Sequence, residues 1–246
     1  MLDAVPLVPS VPAAVRAAEP VAVTREQALL AMTTAYRLIT TTVAERPDTD
    51  LMRPTRCTGW AVIDVLYHVL LDAQRALVAL ASPVEKVADT DYITYWRSFA
   101  NAAHPSSAAH ARAVRVAAAA FRPQTVVQMW QETSEAAIRA ARACASDSTL
   151  TTQDHTLALP DLLATFAVEA CVHQIDMAVD LPNAPVAEGM PLELVRRTLD
   201  GLLGAGVPRP AWGDRDYALK GTGRLPLIDG ERTVLTPVVG RFPLLG

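Results

Sequence analysis

One of the most apolar segments of the chain is interrupted by polar residues at regular intervals. Between Leu162 and Asp180, the residues Thr165, Glu169, His173, Asp176 and Asp180 follow one another at steps of four, four, three and four. On a helix that spacing gathers them into one stripe. The rest of the segment is apolar around most of its circumference, which predicts burial. A carboxylate and an imidazole removed from water without partners cost roughly several kcal/mol each, so water at the bundle surface or a cation must compensate them. Glu169 and His173 are four residues apart and project from the same face, a separation that one metal ion can bridge. A solvated stripe on an amphipathic helix has the same spacing, so this pair needs a complement.

An earlier segment supplies one. Asp64, His68, Asp72 and Arg75 line one side of a helix at steps of four, four and three, with His68 beside the apolar ridge. A lone histidine there is often a satisfied structural residue. Taken with Glu169 and His173, it completes a donor set of two imidazoles and one carboxylate. That set suits Zn²⁺, with Ni²⁺, Co²⁺ or Fe²⁺ as alternatives. Three protein ligands leave one coordination position open, as in catalytic rather than structural sites. Asp72 or Asp176 is placed to accept the second ring proton of a ligand histidine, or to be a surface charge. The other histidines, His104, His110 and His155, lie among Ser, Thr, Ala and Asp residues and read as exposed. Cys171 points away from Glu169 and His173 and reads as packed. Cys57, in the loop before Gly59 and Trp60, reads as exposed, with only Arg56 as a basic neighbour, and not as a nucleophile. No nucleophile-elbow, phosphate-loop, dinucleotide-binding or HExxH pattern occurs.

Four long amphipathic helices must position these residues. Thr24 and Gln27 have the form of a capping box, followed by Leu29, Met32, Tyr36, Ile39 and Val43 at helical steps, with Pro47 ending the element. A second helix is expected from about Ala61 to Leu80. Residues 84–106 read as irregular, with at most a short helix around Tyr92–Phe99. A third helical region spans about 107–144, where Pro123 marks a kink or a junction. The fourth helix follows Pro160, with Asp161 in its first turn, and runs to about Asp180. The pattern predicts a mainly all-α four-helix bundle over residues 23–184, after a disordered arm at 1–22. Residues 185–246 read as a small α/β or irregular extension packed on the bundle. Within it, Met190–Leu203 reads as a helix and Tyr217–Ile228 as a strand or hairpin.

Composition excludes several classes of function. Half of the 246 residues are apolar (51%), enough for a sizeable core. A formal net charge of −4 provides no basic face for nucleic acid. Three cysteines without a CxxC pair argue against a disulfide framework and for a reducing compartment. The proline-broken, acidic start is not a signal peptide, and no uncharged apolar run reads as a membrane span. The expectation is a cytoplasmic protein, monomeric or homodimeric, with small-molecule partners and neither nucleic acid nor membrane.

The stretch from Arg56 to His68 (RCTGWAVIDVLYH) resembles the C-x-G-W-T-V-x-D-V-x-x-H opening of the second helix in the mycothiol-dependent maleylpyruvate isomerase N-terminal family, part of the DinB-like superfamily. Val168–Asp176 (VEACVHQID) is similar to that family's E-x-x-x-H-x-x-D on its fourth helix. The resemblance covers about residues 24–182. It implies a DinB-like four-helix bundle binding a divalent metal, usually Zn²⁺, through His68, Glu169 and His173. It also implies an enzyme with a low-molecular-weight thiol, mycothiol in actinobacteria, as cosubstrate. The stretch from Trp212 to Leu227 and the closing Arg241–Leu245 look like the C-terminal part of actinobacterial relatives, although this part is shorter than in the isomerase proper. Two outcomes follow for the activity, an S-transferase or an isomerase acting on a small electrophile. A non-catalytic metal- or ligand-binding bundle is the alternative. Arg75, Arg215, Lys220 and Arg224 are the candidate anchors for a substrate carboxylate or for the cosubstrate.

Overall fold

The computed structural model describes residues 22–99 and 105–245. Nearly all of the N-terminal arm, and His104, lie outside the described residues. Helix α1 (Arg25–Val43) starts on the expected capping box: Thr24 Oγ1 accepts from the Gln27 amide and Gln27 Oε1 from the Thr24 amide, both at 3.2 Å. A short helix α2 (Asp48–Leu51) follows Pro47. In α3 (Val62–Ala81), Asp64 accepts a hydrogen bond from the Ala61 amide at 2.9 Å. The first of the four polar residues on this helix is therefore a cap. Pro123 is a junction: it opens α5 (Pro123–Ala143), separate from α4 (Pro105–Ala118). At the first position of a helix the missing proline N–H leaves nothing unsatisfied. Helix α6 (Leu159–Met177) ends in a 3₁₀ turn over Ala178–Asp180.

The four long helices close a ring. α1 packs on α5 and α6, and α3 packs on the same two helices from the other side, so α1 and α3 are diagonal. Alanines at 28, 31 and 35 on α1 and at 164 and 167 on α6 are fully buried, which lets these backbones approach closely. Trp130 of α5 is fully buried, and its indole N–H donates to Thr40 Oγ1 on α1 at 3.0 Å. α7 (Met190–Leu203) lies across α6 and α1, with Leu192, Leu194, Val195 and Leu199 in the same core. Among the described residues, the helix long and apolar enough to cross a membrane is Leu159–Asp180, and its most apolar window is 83% buried inside the protein. Its apolar character belongs to the bundle core.

Two local expectations are corrected. The Thr- and Asp-containing surroundings of His155, for which no strand was expected, form an antiparallel hairpin of β1 (Thr149–Thr152) and β2 (His155–Ala158). Gln153 and Asp154 both adopt positive φ, the two-residue turn whose twist suits a hairpin. His155 at its base is half-buried, with Nε2 2.9 Å from Ser98 Oγ. Conversely, the region expected as a strand from Tyr217 to Ile228 begins inside a helix, α8 (Asp214–Gly221). Asp214 and Asp216 place negative charge in its first turn, Tyr217 is buried, and Gly223 at φ +74° turns the chain away after it. A further helix, α9 (Asp229–Val234), starts just after Ile228.

Candidate metal centre

The residues of the expected site come from two neighbouring helices of the bundle ring. His68 sits in the second turn of α3, where the cap at Asp64 sets the helix start. Glu169 and His173 occupy successive turns of α6. Because α3 packs on α6, the three side chains meet. His68 Nε2 lies 3.0 Å from Glu169 Oε1, and His173 Nε2 lies 3.1 Å from the same oxygen. The imidazole rings are edge to face with centroids 4.9 Å apart. The three donor atoms all lie within 4.8 Å of one another. A tetrahedral zinc with bonds of about 2.0 Å needs donors roughly 3.3 Å apart, and each imidazole already stands near that distance from the Glu169 oxygen.

The electrostatics agree with the geometry. Burial opposes charge on Glu169, but the two imidazoles outweigh it and hold the carboxyl well below its ordinary range. Burial likewise opposes charge on His173. Glu169, Asp176 and Cys57 overcome it and push the imidazole well above its ordinary value. A site that gathers this much charge inside a protein is a candidate for chemistry rather than for stability.

Behind His173 lies a second layer. Asp176, fully buried, takes the Nδ1 proton of His173 at 3.0 Å. Of the two aspartates considered from the sequence, Asp176 performs this role. Asp72 instead faces His68 Nε2 at 3.7 Å, and its other oxygen accepts from Arg75. Asp176 also receives Arg224 in a two-pronged contact, Nε to Oδ1 at 3.1 Å and Nη2 to Oδ2 at 3.0 Å. The Cys57 thiol donates to Asp176 Oδ2 at 3.2 Å. Cys57 is therefore half-buried and engaged, not exposed as its loop position predicted. Cys57, His173 and Asp176 form a second group of potential ligands. Their donor atoms are already joined by hydrogen bonds, and a guanidinium occupies the position beside the carboxylate.

The family described as mycothiol maleylpyruvate isomerase N-terminal domain matches residues 32–178. The chain belongs to that family. The solved structures similar to this member of the family include the mycothiol-dependent maleylpyruvate isomerase, at 15% identity and a TM-score of 0.48. A histidine-to-alanine mutant of the same isomerase stands at 17% and 0.49. Each comparison covers 71% of this chain and 67% of the other. No curated protein matches.

In this family member the four candidate anchors separate. Arg224 reaches the site from the extension and Arg75 borders it through Asp72. Lys220 turns away, paired with Glu231 and lying 4.7 Å above the Trp212 ring. Arg215 lies within electrostatic range of Cys171, the buried thiol pushed up to about 12, on the side of α6 away from the ligands. His110 is exposed as expected, yet its ring meets His68 edge to face at 5.7 Å, and so does Trp60. Nothing in the spacing of His110 pointed to the site, because α4 reaches α3 only through the tertiary fold. Cys57 and Trp60 carried a signal, since both fall in the motif that ends at His68.

Proposed function

We propose that the chain is a thiol-dependent isomerase of a small electrophilic substrate, with a divalent metal, zinc by its donor set, held by His68, Glu169 and His173. The observation that carries this reading is the convergence of both imidazole Nε2 atoms on one carboxylate oxygen of Glu169, at 3.0 and 3.1 Å. Membership of the family supports mycothiol as the thiol and a maleylpyruvate-like compound as the substrate. A divalent ion in this site supplies one thing, the lowering of a bound thiol's pKa so that it reacts as thiolate at neutral pH.

The protein's own residues prepare that step. Asp176 holds the Nδ1 proton of His173, which directs Nε2 toward Glu169 and the ligand position. Arg224 and Cys57 fix Asp176 in turn. Trp60 and His110 flank the His68 ring and border the approach to it. The reaction needs only sulfur and an activated double bond. The thiolate adds to the electrophilic carbon, the former double bond rotates as a single bond, and expulsion of sulfur restores it with the opposite geometry. The thiol is regenerated. A reducing cytoplasm, where such thiols accumulate, is the compartment this chemistry requires.

The test is metal content together with turnover. Purified protein is expected to hold about one zinc per chain, and His68→Ala and Glu169→Gln to hold none. Zinc-loaded protein is expected to isomerise maleylpyruvate only when mycothiol is present. A stable thioether product would make it an S-transferase. Metal without thiol-dependent turnover across a panel of electrophiles would leave a non-catalytic binding bundle. Absence of metal from the wild-type chain would overturn the reading.

A further inference from the structure

Two of the four candidate anchors, Arg224 and Lys220, are engaged within the protein. Arg224 gives Nε and Nη2 to Asp176 and Nη1 to the Thr222 carbonyl, and Lys220 pairs with Glu231. Arg75 is placed differently. It stands two turns beyond His68 on α3 and gives Nη1 to Asp72 Oδ1. Among the described residues its Nε and Nη2 have no hydrogen-bond partner, and 35% of its side chain is exposed. Asp72 is buried, and its other oxygen lies 3.7 Å from His68 Nε2. A single carboxylate thus separates the guanidinium from a metal ligand. His68 and Glu169 also keep part of their side chains open to solvent, so one small molecule can touch both the centre and the guanidinium.

The free edge of Arg75 defines what it can hold. Its Nε–H and Nη2–H form the fork that matches a carboxylate in two parallel bonds. Asp72 fixes the guanidinium from its other end, so little side-chain freedom is lost when that edge is filled. An ion pair that merely decorated a helix surface would need neither a buried aspartate nor a line of contacts to a ligand histidine. We propose that Arg75 is a specificity-determining residue of the site, binding a carboxylate of the substrate while the substrate's double bond faces His68 and Glu169. The assignment rests on the metal reading above and narrows the substrate class to small unsaturated carboxylic acids. A thiolate and a carboxylate repel each other in one cleft, and a guanidinium fixed beside them offsets that repulsion.

Arg75→Gln removes the charge and keeps a polar side chain. With zinc-loaded protein, calorimetric affinity for succinate, a saturated and unreactive dicarboxylate, is expected to fall about 10–100-fold, the range for hydrogen bonds to a charged group. Affinity for uncharged succinamide should not change. In turnover, the KM for maleylpyruvate should rise by a similar factor while the KM for mycothiol holds. Because Arg75→Gln leaves Asp72 buried without its cation, the double variant Asp72→Asn/Arg75→Gln is measured beside it and should show the same selective loss. Asp72→Asn alone keeps the guanidinium and should keep the preference for succinate over succinamide. Equal losses for succinate and succinamide would overturn the assignment, as would a rise confined to the mycothiol KM. A wild-type chain that holds no zinc would overturn the metal reading and this assignment with it. Bound zinc with an unchanged succinate affinity in Arg75→Gln would overturn the assignment alone.

Discussion

Asp176 is fully buried and remains charged. Burial works against it, but the hydrogen bond to His173 and the Arg224 guanidinium hold its carboxyl well below the ordinary carboxylate value. Removing one partner of such a pair leaves a lone charge in a low-dielectric interior, at a cost of about 3–5 kcal/mol. Arg224→Ala is therefore expected to lower unfolding stability by about that amount in urea titrations. Arg224→Lys should recover only part of it, because a lysine cannot reproduce the two parallel contacts. A wild-type stability for Arg224→Ala would show the pair to be idle. At this scale the sequence was informative where partners share a helix. Glu169, His173 and Asp176 declare themselves by steps of four and three. Arg224 is 48 positions from Asp176, and no local spacing links them.

Among the elements, the long helices were legible because periodicity and capping are local. Thr24 with Gln27 starts α1 and Pro123 starts α5, and α7 runs over Met190–Leu203 as its pattern predicted. The misread pieces were short. The hairpin at 149–158 rests on a two-residue turn with neither Gly nor Asn, and α8 is eight residues long with buried apolar residues too few to show a period. How the elements dock depends on small residues. At Gly201 of α7 a Cβ would come within 2.5 Å of Ile93. Gly201→Ala is expected to destabilise by about 1–3 kcal/mol through overpacking. Combined with Ile93→Ala, a double-mutant cycle in urea should show a favourable coupling of about 0.5–3 kcal/mol. Strict additivity would mean that the two do not touch in solution.

For the molecule as a whole, the question is whether residues beyond 184 are an appendage. α7 covers α6 and α1, Gln174 on α6 donates to the Pro185 carbonyl, and Arg224 completes the layer behind His173. A chain ending at residue 184 would expose the α6 and α1 faces and leave Asp176 without its guanidinium. Such a truncation is expected to lose its cooperative urea transition and to bind a hydrophobic dye such as ANS. A sharp two-state transition with wild-type zinc affinity would instead make residues 23–184 an independent unit. By itself, the sequence determined the places of the long helices and set out the candidate residues on them, because helical period, caps and motif residues act over a few positions. Only the tertiary structure decided that α3 and α6 are neighbours, so that His68 meets Glu169, and that Arg224 closes on this centre from the extension. Those meetings depend on which apolar faces pack together, a property of the closed ring of helices that no single segment carries.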